Sequence, residues 1–442
     1  MDQPLLNDLF ALDRAHVLHP NHPVHQDIDF IVSRGEGVRL YDTTGRSFID
    51  GRSQLNCVNL GYGYRRLVDA IKAQAEELSY LSIFYQFSHP QVITCAARLA
   101  ASAPGDLDHV LFTSGGSEAM EAALAMVRLY WSRLGRAKTK IISRYKGYHG
   151  GTASAMAATG MAMGGQTSIQ RLISGHVHIP APNLYRSGAG MDPEAYAKLA
   201  ADQLAEAIEL EGPDSVAAFL AEPIIGVGGY VPPPPGYWPL VREICDRYGV
   251  LLILDEVMTG FHRTGPRFAA DNWGLVPDIL VAGKGINSCY VPCGAAIVSR
   301  RIVDVLAGAR LSGFTHSGHP LAMAAANAAF DAYDQDGIED NVGRIHRLMM
   351  DRLQGEFLAL PHVGTVEGLG LMIGLELVAE KKERTRLPDK VTQGVVGKSL
   401  DQGLIIRARD GRLALCPPLV ISEAEANEML DILFPLIRDM NA

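Results

Sequence analysis

Hydrophobic positions in the middle of the chain fall in short, uninterrupted runs. "HVLFT" (109–113), "KIIS" (140–143), "VAAFLAE" (216–222), "VLLILDE" (250–256), "ILVAG" (279–283) and "AAIVS" (295–299) are apolar and mostly β-branched. Runs of this length without polar alternation suit strands covered on both faces, as in a parallel sheet. Between them the period becomes helical. From Ser117, "SEAMEAALAMVRLYWSRLG" sets Met120, Leu124, Val127 and Trp131 along one stripe and ends near Gly135. Alternating strands and helices predict an α/β fold with a large, mostly parallel sheet flanked by helices.

The two ends read differently. "GVRLYDTTGRSFIDG" (37–51) predicts a hairpin with its turn at Thr44 and Gly45, and the last hundred residues mix helices with strand-like "LMIGLEL" and "RLALCP". Residues 1–59 and 321–442 are expected to form one smaller α+β domain from both chain ends, around a large domain of residues 60–320. "VPPPPGYW" is a rigid loop before a helix rather than a linker.

Composition narrows the choices. The chain has 442 residues, 48% hydrophobic, with a formal net charge of −9. That charge argues against nucleic acid or an anionic membrane as partner. The start lacks a basic region followed by an apolar core, no run approaches a membrane span, and six cysteines are thinly scattered. A cytoplasmic enzyme is expected. No metal site is expected: Cys289 and Cys293 have no second pair, and prolines interrupt the His19, His22, His25 spacing. "GLGLMIG" precedes a strand instead of following one, so it is no dinucleotide loop.

Chemistry enters where the apolar runs end. In an open parallel sheet ligands gather beyond the carboxyl ends of the strands. "HVLFT" leads into "SGGSEA", a glycine-rich turn opening a helix, where free N–H groups and the Ser117 hydroxyl suit a phosphate. A plain helix cap is the competing reading. "VLLIL" ends on Asp255 and "ILVAG" on Lys284. Asp255 can be a structural ion-pair partner, or a counter-charge to a protonated ring nitrogen. Lys284 can be a surface lysine, or an amine that attacks a carbonyl. Phosphate cradle, carboxylate and amine at three strand ends match the phosphate, ring nitrogen and aldehyde of pyridoxal phosphate.

With these residues placed, the chain resembles the fold-type I pyridoxal-phosphate enzymes, and within them the class III (omega) aminotransferases, closest to the pyruvate-dependent amine transaminases. "LFTSGGSEAMEAAL", "YKGYHGGTASA", "AEPIIGVGGYVPPPPGYW", "LILDEVMTGFHRTG", "PDILVAGKGI" and "GFTHSGHPLAMAAA" occur in that family's order, covering almost the whole chain. The resemblance implies a ping-pong transfer of an amino group from an amine or omega-amino acid to a 2-oxo acid, with Lys284 carrying the cofactor as an aldimine. It implies Asp255 at the ring nitrogen, Val257 and Tyr148 on opposite ring faces with His149 beside Tyr148, and Gly116 and Ser117 on the phosphate. Glu222 joins the hydrogen-bond network near the cofactor or the gate arginine. Phe314 and Thr315 reach the phosphate of a neighbouring subunit, which implies a homodimer with shared sites, alone or paired into a tetramer.

For the substrate, the resemblance makes Arg407 the mobile arginine that meets a carboxylate, with Arg409 and Arg412 as neighbours it could be confused with. Asn56 stands where amine transaminases carry tryptophan, which predicts a wider, more polar pocket; Phe84 and Tyr85 supply an aromatic wall. Met258, in place of a glutamine, leans towards pyruvate as acceptor, and Ile225 also replaces a glutamine. Two rival readings stand beside this one. The same cofactor residues serve racemases, aminomutases, decarboxylases and phospho-lyases, and a nucleotide-binding protein could use "SGGSEA" for phosphate.

Overall fold

The computed structural model describes residues 3–24, 26–161 and 173–440. Its centre is a seven-stranded sheet of β4 (Leu107–Thr113), β5 (Lys140–Arg144), β6 (His176–Ile179), β7 (Val216–Ala221), β8 (Leu251–Asp255), β9 (Ile279–Ala282) and β10 (Gly294–Ser299). Their order is β4-β10-β9-β8-β7-β5-β6. Every residue of β7 to β10 is buried, as continuous apolar runs require when helices cover both faces. The helix Gly116–Arg133 packs Met120, Leu124, Val127 and Trp131 against one face, the stripe its sequence predicts.

The sheet is mostly parallel, as the runs predict, with two features that they do not announce. β10 is antiparallel to both β9 and β4. Only residues 283–293 join β9 to β10, without the crossover helix that a parallel return needs. β6 forms the far edge, and its sequence "HVHI" has no apolar run to announce it.

Two smaller sheets flank this one. In the first, β1 (Val32–Glu36), β2 (Arg39–Asp42) and β3 (Ser47–Asp50) are antiparallel. The β2–β3 turn is held by Asp42, whose Oδ1 accepts the Thr44 N–H at 2.8 Å, while Gly45 adopts φ 92°. β14 (Leu404–Ile405) adds to β3 in parallel, so the late chain completes a sheet begun by the early chain. The second sheet joins β11 (Val363–Leu369), β12 (Met372–Glu380), β16 (Arg412–Leu415) and β15 (Arg407–Arg409), with β13 (Thr385–Arg386) on β12. One hydrophobic core takes in Ile49, Leu404, Leu413 and Met429 from both ends. Among the described residues no helix is long and apolar enough to cross a membrane.

Candidate active site

Because β10 opposes both neighbours, β4 points the same way as β9 and β8. The turn after β4, Asp255 and Lys284 therefore open on one crevice, a cleft of about 1070 Å³. Gly116, Ser117, Val257 and Lys284 line it from the strand ends. Tyr148, His149 and Glu222 line it from the loops after β5 and β7, Asn56 from the short helical turn Ser53–Asn56 after β3, and Arg407 from β15.

Asp255 is 4% exposed. Its Oδ2 lies 2.8 Å from His149 Nδ1, which donates, and its Oδ1 accepts the Val257 N–H at 3.1 Å. Both oxygens are thus fixed as acceptors in a nearly dry site. Glu222 is also buried and accepts the Tyr148 N–H at 3.1 Å and the Gly226 N–H at 2.8 Å. Burial pushes its carboxyl up, as nearby Asp255 also does, while His149 acts the other way. The Tyr148 hydroxyl is raised too, by burial first and then by Asp255.

The set fits a phosphorylated heteroaromatic aldehyde. The helix Gly116–Arg133 presents its N-terminus to the cleft. A side chain on Gly116 would start 2.9 Å from Val257 Cγ1, and one on Gly150 would start 2.7 Å from Ser117 Oγ, so glycine keeps this cradle open. Ser117 Oγ accepts the Gly151 N–H at 3.1 Å, leaving its own proton to donate. His149 Nε2 is buried without a partner. Lys284, with no side-chain hydrogen bond in the described residues, lines the same cleft.

Other candidates lie elsewhere. Phe84 and Tyr85 do not line the cleft; they are 55% and 76% exposed on the outside of this chain. Phe314 and Thr315 are also absent from it, and Thr315 O accepts the Tyr80 hydroxyl at 3.0 Å beside that outer aromatic surface. Arg412 is committed to Glu376 at 2.9 Å and Glu367 at 3.1 Å, whereas Arg409 lines the cleft with Arg407. Met258 lines the cleft; Ile225 does not, and its backbone bridges to Val231. His25 lies outside the described residues.

Three contributors have no counterpart among the sequence candidates. Residues 20–23, with His22, close one side of the cleft. Tyr230 is fully buried under Arg407, whose guanidinium carbon lies 5.8 Å from its ring centroid, and it bonds Asn56 Nδ2. Arg52 lines the cleft near both. A tyrosine in "GGYV" looks like core and an arginine in "DGRS" looks like surface, so neither signals a site alone.

Comparison with known proteins places this geometry in context. The model of the family described as "Aminotransferase class-III" matches residues 21–437. A putrescine–pyruvate aminotransferase of Pseudomonas aeruginosa is 38% identical over 434 residues, 96% of this chain and 94% of its own. The structure of a thermostable (S)-enantioselective omega-transaminase from Thermomicrobium roseum has a TM-score of 0.92 at 37% identity, covering 98% of each chain. The omega-transaminase from Pseudomonas jessenii, solved in complex with PMP, has a TM-score of 0.94 at 33% identity, again covering 98% of each.

Proposed function

This chain belongs to the class III aminotransferase family, and from that premise we propose that it moves an amino group from an amine or omega-amino acid to pyruvate, at a site built around Lys284. One observation supports this most strongly: Lys284, Asp255 and the Gly116–Ser117 turn leave three different strands and open on a single cleft. Pyridoxal phosphate is the cofactor; when bound, it supplies the electron-poor ring that takes up charge as a substrate C–H bond breaks.

The remaining work falls to the chain. Lys284 Nζ would hold the cofactor, and its amine is the group placed to take and return a proton at the substrate carbon. Asp255, oriented by His149, holds the proton on the ring nitrogen. Val257 and Tyr148 hold the ring from two sides, and Gly116 with Ser117 binds the phosphate. Glu222 keeps the 147–148 and 222–226 loops in register through its two backbone hydrogen bonds. Arg407 meets the substrate carboxylate, and Asn56 shapes the pocket beside it. Met258 at the cleft wall favours pyruvate over a dicarboxylic acceptor.

The active unit in this reading is a homodimer. Phe314 and Thr315 reach the partner's phosphate, and Phe84 and Tyr85 wall the partner's pocket; the distance of all four from their own cleft supports this. The division into a small unit of residues 1–59 and 321–442 and a large unit of residues 60–320 belongs to the same reading, supported by the β3–β14 pairing. Six free cysteines support a cytoplasmic setting.

A panel of amines and omega-amino acids, offered with pyruvate and with 2-oxoglutarate, tests the reaction. Alanine is expected from pyruvate, at higher kcat/KM than glutamate from 2-oxoglutarate. Racemisation or decarboxylation without alanine contradicts the proposal.

A further inference from the structure

The cleft carries more positive charge than proton transfer and cofactor binding require. Arg52 follows β3 and lines the cleft together with Arg407. Neither forms an ion pair among the described residues. Arg52 Nε donates to Gln54 O at 2.5 Å, and Arg407 Nη2 donates to Val227 O at 3.2 Å. The acid two residues away, Asp50, is already occupied. Its Oδ1 accepts the Arg52 and Gln54 N–H groups at 3.3 and 3.1 Å, and its Oδ2 accepts the Tyr62 hydroxyl at 2.5 Å.

Asn56 and Tyr230 link the two arginines. Asn56 Nδ2 lies 3.4 Å from Arg52 O and bonds the Tyr230 hydroxyl, while the Arg407 guanidinium lies over the Tyr230 ring. Asn56 holds φ 60°, a left-handed conformation, so this stretch of backbone is pinned against its own preference. Burial lowers the affinity of Arg52 for its proton, and the charge of Arg407 adds to that. Two guanidiniums that share one cleft and repel each other, each with donors left over and neither paired to a carboxylate among the described residues, call for an anion from outside.

We propose that Arg52 and Arg407 form a two-arginine clamp for the anionic end group of the substrate, so that carboxylate-bearing amines are selected over neutral amines of equal length. Arg52 is the specificity-determining member. It is anchored at Gln54 and keeps one guanidinium in the cleft when Arg407 moves, so a neutral tail always meets an uncompensated cation. The inference rests on the aminotransferase reading for the identity of the substrate, and on the geometry alone for the anion.

The test compares the wild-type holoenzyme with Arg52→Met and Arg52→Lys. The reactive probes are 5-aminopentanoate and pentylamine with pyruvate; valerate, which has no amine, reports binding by calorimetry. The clamp predicts that Arg52→Met lowers the kcat/KM ratio of 5-aminopentanoate to pentylamine at least tenfold, through the KM of the acid. It predicts valerate binding at least tenfold weaker, with Arg52→Lys intermediate in both. Alanine formation with an unchanged ratio and unchanged valerate binding overturns the clamp and leaves the aminotransferase reading standing. No alanine from either donor, with valerate still held tenfold less tightly by Arg52→Met, supports the clamp and removes that reading instead.

Discussion

Lys284 is held in a left-handed backbone conformation, φ 41°, which costs a residue with a side chain about 1–2 kcal/mol. Its surroundings fix it there. The Ile286 N–H reaches Gly283 O at 2.9 Å and the Cys289 N–H reaches Lys284 O at 3.1 Å. A side chain on Gly285 would start 2.6 Å from Asn59 Nδ2, so the backbone after the lysine is pressed against a neighbouring loop. Strain kept here, and again at Ser288 and Cys289 just beyond, is consistent with a group whose direction matters more than its local comfort. Asp255 has the opposite situation: an ordinary strand end, oriented by side-chain and backbone donors instead of by strain.

At the scale of elements, the residue after Asp255 decides how β8 hands over to the following turn. Glu256 is fully buried, and its carboxylate accepts the Ala269 and Ala270 N–H groups at 3.0 and 2.8 Å and the Thr259 hydroxyl at 2.5 Å. It thus caps the short 3₁₀ helix Ala269–Trp273 from a distance. Burial pushes its carboxyl up to about 7 against the pull of those donors. A carboxyl raised by folding binds its proton more tightly in the native state than in the unfolded one. Its contribution is fully present at acid pH and is lost as pH rises from the ordinary carboxylate range through about 7. Glu256→Gln is expected to flatten the fall in stability, and with it in thermal midpoint, across that interval, a fall on the order of 3 kcal/mol. Parallel pH profiles for the two proteins contradict this.

The same strand ends explain what the sequence could and could not reveal. Asp255 and Lys284 were legible because each interrupts a buried apolar run, and the Gly116–Ser117 turn because glycine and serine open a helix directly after a strand. Direction was not legible: "AAIVS" reads the same whether β10 is parallel or antiparallel, since burial sets its composition and loop length sets its sense. Arg52 and Tyr230 were not legible, and His22 was legible only as part of a histidine spacing, because they reach the site through tertiary packing of loops from distant parts of the chain. Their neighbours in sequence carry no period that could announce it.

At the scale of the molecule, one outer surface stands out. Phe84, Tyr85 and Phe87, in the loop before the helix Pro90–Ser102, are each more than half exposed, and the Phe84 ring lies against Gly313, next to Phe314. Aromatic groups gathered on one face are what an interface needs and what a solitary protein avoids. In the proposed dimer this face meets its copy and Phe314 and Thr315 complete the partner's phosphate site. Tyr85→Asp is therefore expected to sediment near 47.7 kDa, half the mass of the wild type, and to retain at least tenfold less cofactor. A variant that stays dimeric and fully loaded contradicts the shared site.

Borohydride reduction of the holoenzyme, followed by digestion and mass mapping, asks where the vitamer is attached. One modified peptide is expected, spanning "ILVAGKGI" with the added mass on Lys284, and none in the Lys284→Ala protein. A label on any other lysine, or a protein that stays colourless and unlabelled after incubation with pyridoxal phosphate, would contradict the assignment of this site.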